Sequence, residues 1–540
     1  MKTKLPTLLI AFYFATTIGI AQVPVMLKDI NPGSGNSNVS DFEYVNGTVF
    51  FRASDGLLGN ELWKTDGTTL GTELVKNIDP TSNGSASGLY TNVNGTLYFH
   101  ANDGTSGKEL WKSDGTLAGT QLVKDISPGA ADTDFKHFIN LNGVLAFTVN
   151  DAAIGEEWWI SDGTSAGTNL LLDIDSGNGD GFTGNSSDMC VINGILYFQG
   201  SDATHSKELW KTDGTTVGTV MVKDIYPGNS GSDAQKMVEM NGLLYFIAKD
   251  GAGLGIWKSD GTGAGTVLVA NLPFGSQTSG KLVNVNGTLY FSCIDMFTSG
   301  YELWKCDGTA GGTMLVKDIN PGTASSNPSY LTAVNDTLFF AADDGMNGAE
   351  LWKSDGTAAG TAMVSDVNPG SNGCLITELT QVNGVAFFIC TTPLYGTELW
   401  RSDGTVTGTI IAEDIFPGFQ SSLAAHITAC GNNLYFTANT STNGTEIWTI
   451  QNVTIGINEI NKTNTLLVYP NPAKDLLHFE LSTHQFQSAF IDILDACGKQ
   501  LIHQSLNTNN IDISTLAKGY YVARISDHTF ITQSKFIKTE

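Results

Sequence analysis

Residues 109–116 read ELWKSDGT, and this phrase, little altered, returns along most of the chain. Its Trp stands at positions 63, 111, 159, 210, 257, 304, 352, 400 and 448, at spacings of 48, 48, 51, 47, 47, 48, 48 and 48 residues. A fixed period in this range marks a solenoid or a propeller. A single unit decides between them. In the third copy FINLNG, VLAFTV, EEWWISDG and TNLLLDI follow one another between residues 138 and 174, each a short apolar run bounded by Gly, Asn or Asp. The Asn-Gly between the first two predicts a hairpin turn, because both residues tolerate positive φ. Four strands per repeat and no helix-period stretch describe one propeller blade.

The apolar residues are consecutive, as in LYF (97–99), rather than alternating. Neighbouring strand residues point to opposite faces, so both faces of each sheet need cover, which stacked blades supply. The ends of the array add a second argument. VMLKDINPG (25–33) matches QLVKDISPG (121–129), the fourth strand of a unit, whereas the last copy, TEIWTIQN (445–452), has no fourth strand. An orphan strand at one end and a missing strand at the other predict a ring closed between its termini, with no open sheet edge. The fold expectation is all-β: a propeller of about nine four-stranded blades, followed by a small C-terminal β-sandwich. Nine exceeds the usual range of about 4–8 blades, and an unclosed superhelix is the alternative.

The chain has 540 residues, with 28 Lys plus Arg against 54 Asp plus Glu, a formal charge of -26. That sign argues against nucleic acid, which needs clustered cations. Lys2 and Lys4 followed by the apolar run 8–20 and Gly19-Ile20-Ala21 read as a secretory signal cleaved between Ala21 and Gln22. No later segment is apolar enough to span a bilayer as a helix. The seven Cys, at 190, 293, 306, 374, 390, 430 and 497, form no C-x-x-C and read mostly as small buried apolar residues, with room for one bridge.

Within the phrase, Asp114-Gly115-Thr116 falls between the third and fourth strands, where Asp caps a turn and Gly accepts positive φ. Trp111 supplies buried area between blades. A group demanded in every blade is demanded by the blade, so the phrase is architectural. On these residues the chain resembles the ELWxxDGT repeat proteins, exported bacterial proteins; the resemblance covers residues 22–451 and implies export and a repeat scaffold, with no activity attached. Trp158 in place of Leu, and Gly255-Ile256 in place of Glu-Leu, depart from the pattern. After a polar linker (452–465), the segment 466–540 resembles the C-terminal sorting domain of the type IX (Por) secretion system of Bacteroidetes. The resemblance rests on Pro470, Asn471 and Pro472, on Gly498, and on Gly519 with Tyr520. It implies a small β-sandwich whose partner is the type IX machinery, and a protein secreted or attached to the outer-membrane surface.

The search for chemistry returns little. Gly163-Thr-Ser165-Ala-Gly167 fits G-x-S-x-G, but lies in a strand-to-strand turn rather than a nucleophile elbow. Arg occurs only at 52, 401 and 524, too few for a carboxylate-binding cluster. The loop DIDSGNGDGF (173–182) is not an EF-hand, but its Asp175 and Asp180 suit calcium, the one cofactor the chain suggests. The positions that vary between blades are free to bind. The loops between blades and the turns between second and third strands share a rim. That rim repeats an acid, at Asp55, Asp103, Asp151, Asp202, Asp250 and Asp344, as turn formers or a cation ring. It also carries Phe182, Tyr226, Phe274, Phe416 and Phe419, as loop anchors or stacking platforms for a ligand. The functional expectation is an exported binding or adhesion module for an extracellular glycan or protein. A secreted hydrolase or lyase acting on polysaccharide and a structural cell-envelope protein are the rivals.

Overall fold

The computed structural model describes residues 23–454, apart from 82, 86 and 274–276, and residues 466–539, apart from 482–489, 495–499, 506–509 and 527–530. The signal segment with Ala21 and Gln22, most of the linker and Gly498 lie outside the described residues. The chain divides into two compact units, residues 22–455 and a second containing 456–540.

Among the described residues the first unit holds nine four-stranded antiparallel sheets, eight of them built from strands consecutive in sequence. Blade 2 is typical: Gly88–Val93, Thr96–Asn102, Lys108–Ser113 and Gln121–Lys124. The first strands contact one another from blade to blade except between blades 3 and 4, where the contact is weaker, and that of blade 9 meets that of blade 1, so first strands line the axis. Their turns into second strands are the expected Asn-Gly hairpins in seven of the nine blades, with Asn94 at φ 51° and Gly95 at φ 81°, and read Asn335-Asp336 in blade 7 and Gly431-Asn432 in blade 9. Both faces of each sheet are buried. In blade 2, Leu97, Phe99 and Trp111 pack with Val45, Phe50 and Leu62 of blade 1, while Tyr98, Leu110 and Val123 pack with Leu145, Phe147 and Val149 of blade 3. A fully buried Phe sits opposite the Trp of every blade, from the pair Phe51–Trp63 to the pair Phe436–Trp448. Each such Phe is worth roughly 1.5–3 kcal/mol of transfer free energy.

The ninth sheet is completed by the N-terminal strand Val25–Lys28, antiparallel to Glu446–Ile450 with Val25 opposite Thr449 and Met26 opposite Trp448. The bonds that stitch other blades recur at this junction. The fourth-strand Lys of one blade donates to a Thr carbonyl of the next: Lys76 to Thr120 (2.7 Å), Lys317 to Thr361 (2.8 Å), and, across the closure, Lys28 to Thr72 (2.6 Å). Lys28 and Lys76 also lie over Trp63 and Trp111 of the blades they reach, at 5.8 and 5.3 Å from the ring centres. A second Lys, in the phrase itself, reaches the next turn, as Lys64 does to Gly115 O (2.9 Å). At the closure Gln451 takes that part, donating to Gly67 O.

The whole phrase is now accounted for. Leu and Trp fill the two faces, and Lys reaches the next blade. Ser113 and Thr120 join hydroxyl to hydroxyl (2.8 Å), and Asp114 Oδ1 accepts from Thr116 N (2.9 Å) and Oγ1 (2.7 Å). Gly119 cannot carry a side chain, because a Cβ there would lie 2.0 Å from Asp114 Oδ1. The Glu has a role that the repeat alone does not reveal. Glu302 is fully buried and accepts from Ile319 N (2.9 Å), Asn320 N (3.3 Å), Ser326 N (3.0 Å) and Ser326 Oγ (2.6 Å), all in the loop to blade 7. One carboxylate thus satisfies the N–H groups of a loop that makes no sheet there. Cys374 and Cys390 form a disulfide within blade 8.

The second unit is a two-sheet sandwich. Leu466–Tyr469, Leu476–Leu481 and Asn510–Asp512 make one sheet; Phe490–Leu494, Gln500–Ser505, Gly519–Ser526 and Ile531–Lys538 make the other. Leu477, Phe479 and Ile511 from the first meet Ile491, Ala523, Ile525 and Phe536 from the second in one core. Asn471 sits between Pro470 and Pro472, both after cis peptide bonds, and its Oδ1 accepts from Ile537 N (2.9 Å). Gly519 opens a strand, Tyr520 is exposed and Tyr521 is buried, its hydroxyl donating to Ala517 O (2.8 Å).

Two outcomes follow. Deleting residues 23–31 removes the strand that completes blade 9 and exposes its apolar face; a lowered thermal midpoint and loss of monomeric behaviour in light scattering are expected. Glu302→Ala leaves Ile319 N and Asn320 N without their acceptor, while Ser326 N keeps Tyr301 O (3.0 Å), and is expected to cost about 2 kcal/mol or more in denaturant unfolding, against about 1 kcal/mol for Asp114→Ala at an exposed turn.

Candidate functional site

The loops between blades and the turns between second and third strands do share one rim. Asp132 of the loop after blade 2 accepts from Lys108 N (2.7 Å) at the end of such a turn, and Ser325 and Ser421 do the same for Tyr301 and Thr397 (3.0 Å each). Asp180 is their counterpart after blade 3, accepting from Glu156 N (2.9 Å), while Asp175 N donates to Glu157 (3.3 Å). Both residues of the expected calcium loop therefore take part in the ordinary loop latch.

The rim acids cap their own turns. Asp55 Oδ1 accepts from Leu57 N (2.9 Å) and Leu58 N (2.8 Å), Asp103 from Thr105 and Ser106, and Asp344 from Met346 and Asn347. Asp151 and Asp250 accept from Ala153 N and Ala252 N (2.7 Å each). Asp202 caps Thr204 and His205 and also meets His205 Nδ1 (3.0 Å), which raises the His205 pKa. Six positions a blade apart are held around the ring rather than converged, and among the described residues no three His, Cys, Asp or Glu gather as metal ligands do.

The rim aromatics separate into classes. Phe182, expected as a rim residue, is instead a core residue: it is 1% exposed, edge-on to Trp158 (5.3 Å) and His137 (5.1 Å), because the longer loop after blade 3 folds back into the seam. Tyr226 and Phe416 are half-buried, Phe419 is 75% exposed, and Phe274 lies outside the described residues. Phe297, Met346 and Leu394 are also exposed, at the tips of the second-to-third strand turns of blades 6, 7 and 8. Only a blade-by-blade comparison of those tips, which read Thr105, Ala153, Thr204 and Ala252 in blades 2 to 5, could have flagged them.

The first strands depart from their pattern in blade 4. In blade 4 the first strand is only Met189–Ile192, preceded by a short 3-10 turn, Ser186–Asp188, where other blades have six to eight residues in strand. Asp188 is buried, and its Oδ1 accepts from Lys236 N of blade 5 (3.0 Å). The shortened strand leaves a cavity of about 430 Å³ lined by first-strand residues of blades 2, 3 and 4, among them Tyr90, His137, Phe138, Met189 and Cys190, with Lys136 at its edge. Burial lowers the His137 pKa and pushes the Cys190 thiol up to about 11. The pocket offers shape and aromatic surface, and the Lys136 ammonium beside it is paired with Asp134 Oδ1 (2.7 Å).

Comparison with known proteins bears on the two units differently. Residues 467–539 match the secretion system C-terminal sorting domain family. No curated protein matches the chain significantly. Among solved structures, the chain is similar to PorZ, an essential bacterial surface component of the type-IX secretion system of Porphyromonas gingivalis (14% identity, 93% of this chain and 75% of that one, TM-score 0.35). It is also similar to a puromycin-hydrolyzing peptidase of Mycobacterium tuberculosis (12%, 74% and 57%, 0.38) and to the β-propeller domain of the Trilobed protease from Pyrococcus furiosus (9%, 59% and 92%, 0.32). At these scores the likenesses say nothing of activity. Among the described residues no helix is long and apolar enough to cross a membrane. The C-terminal unit is a type IX sorting domain, and the protein that carries it is secreted or attached at the cell surface.

Proposed function

We propose that the ring is a binding module for an extracellular ligand, a glycan or a protein, delivered by the sorting domain at its C-terminus. The observation that carries this reading is the seam between blades 3 and 4. The cavity opens where the first strand is shortest and the connecting loop longest. A repeated position serves the fold, so a single departure is free to serve a ligand. Tyr90, Phe138 and His137 offer ring faces for a sugar or an apolar side chain, and Lys136 a charge at the edge. The same reading takes residues 1–21 as a signal peptide cleaved before Gln22, residues 22–451 as a ring resembling the ELWxxDGT repeat proteins, 452–465 as a linker and 466–540 as the sorting unit.

The test is a screen of the full mature chain against glycan arrays and immobilised surface proteins, run beside hydrolysis of chromogenic glycosides. A hit is expected that weakens at least tenfold in Met189→Trp, which fills the cavity, with the thermal midpoint unchanged. A hit indifferent to Met189→Trp and His137→Ala would move the site to the rim around Phe297, Met346, Leu394 and Phe419. Glycoside turnover without stable binding would replace the binding reading by the hydrolase one.

A further inference from the structure

The buried Glu of each phrase has a companion. Sixteen residues on, at the end of the fourth strand, stands an Asp: Glu109 with Asp125, Glu157 with Asp173, Glu208 with Asp224, Glu302 with Asp318, Glu350 with Asp366, Glu398 with Asp414, and, across the closure, Glu446 with Asp29. The register sets the two side by side. Leu110 is opposite Lys124, so Glu109 and Asp125 are the next cross-strand neighbours, and in blade 5 the equivalent pair, Gly255 and Asn271, is directly opposite. Like charges at such positions repel. The carboxylate of Asp125 acts on Glu109, Asp173 on Glu157, Asp366 on Glu350 and Asp29 on Glu446.

Each Asp also has one oxygen to spare. Oδ2 accepts from a glycine of the following turn in several blades, as in Asp318 with Gly322 N (3.1 Å). Oδ1 is buried and without a hydrogen-bond partner in all seven: Asp29, Asp125, Asp173, Asp224, Asp318, Asp366 and Asp414. A buried, unpaired acceptor recurring seven times beside a buried carboxylate is a costly arrangement unless something positive lies between them.

The two exceptional blades show what that is. In blade 1 the Asp is replaced by Asn77; with its side-chain amide turned so that the nitrogen faces the two acceptors beside it, that nitrogen donates to Asp79 O (2.8 Å) and Glu61 Oε1 (3.3 Å). In blade 5 both members go together: Gly255 replaces the Glu, where a Cβ would meet Leu268 Cδ1 at 2.5 Å, and Asn271 replaces the Asp. An Asp is kept only where a Glu is kept, and the one unpaired Glu receives a donor instead. We propose that each of the seven pairs shares one proton, a carboxylic acid donating to a carboxylate, so that the folded ring holds a circle of seven protons.

Burial of the Glu side chains agrees, raising Glu109, Glu157, Glu350, Glu398 and Glu446 to about 7 and moving Glu208 and Glu302 in the same direction. The groups facing the pairs from other elements are loop N–H groups, the hydroxyls of Thr133 and Ser326, and the amide of Asn443. In blade 4 a titratable cation, His205, faces Asp224 and Glu208 as well as its turn acid Asp202. The native state binds protons that the unfolded chain releases between about 4.5 and 7. The stability they give is therefore complete below about 4.5 and lost as pH rises through 7. A pair titrates as a unit, and the proton lost goes to solvent.

The experiment uses the full chain. Asp125→Asn, Asp318→Asn and Asp366→Asn, alone and together, copy the arrangement that blade 1 already has and so are expected to fold. The wild-type thermal midpoint is expected to fall between pH 5 and pH 8. The triple variant should lose part of that fall, while a control removing three exposed acids, Glu73→Gln, Asp134→Asn and Glu413→Gln, should keep more of it. Infrared spectra at pH 6.5 should show the carbonyl band of a protonated carboxyl, weakened in the triple variant and not in the control. Equal pH dependence in triple variant and control, or no protonated band at pH 6.5, would overturn the proposal. A midpoint raised by calcium and lowered by chelator in wild type but not in the triple variant would do so too, assigning the pairs to a cation.

Discussion

The ring rests on a buried carboxylate that takes the N–H groups of an otherwise unpaired loop. Between blades the chain must leave the outermost strand, cross the rim and start again at the axis, and over that stretch its backbone has no sheet to bond to. Glu302 and its equivalents supply the acceptors from the start of the third strand, so that each loop is bound to the blade it leaves. Because the loop sets where the next first strand begins, one side chain per blade fixes the step from blade to blade. The cost of burying it is offset by two to four hydrogen bonds from the loop, as in Glu350 and Glu302. Blade 5, with Gly255 at this place, forgoes the carboxylate; its loop is held instead through Leu272 N donating to Leu254 O (2.9 Å).

A second set of bonds converts a row of blades into a closed body. The fourth-strand Lys and the Lys of the phrase each reach a carbonyl in the following blade, and both kinds of contact are present where blade 9 meets blade 1, in Lys28 and, with a change of residue, in Gln451. The apolar contacts agree: Leu27, Ile30 and Tyr435 of the closing blade share a cluster with Phe51 and Trp63 of the first. The closing junction uses the same fourth-strand contact that stitches blade 1 to 2, 2 to 3, 4 to 5 and 6 to 7.

The scaffold was legible from periodicity. Strand order, hairpin turns, two apolar faces and the pairing of residues 25–28 with the last Trp strand all follow from where the phrase repeats and where it is cut short. The turn role of Asp114 was legible too, since Asp-Gly-Thr carries its own geometry. What was not legible depends on long-range placement. Glu109 reads as an exposed strand-start acid until the loop 17 to 24 residues later folds over it. Phe182 reads as a rim aromatic until the longer loop turns it inward onto Trp158. The cavity by Met189 arises from residues missing from a strand, and a shortened strand leaves no apolar or polar pattern to read.

The way the chain leaves the ring has a mechanical consequence. The last ring strand before the C-terminal unit, Glu446–Ile450, is an interior strand, bonded on one side to Asn433–Ala438 and on the other to Val25–Lys28. Were the N-terminal strand absent, it would be an edge strand, and a pull on the C-terminus would peel it one bond at a time. Flanked on both sides, it meets such a pull with two ladders, and the load is carried partly by the opposite end of the polypeptide. A load entering the ring from its C-terminal end would therefore meet the clasp first, and the clasp is where it would be resisted.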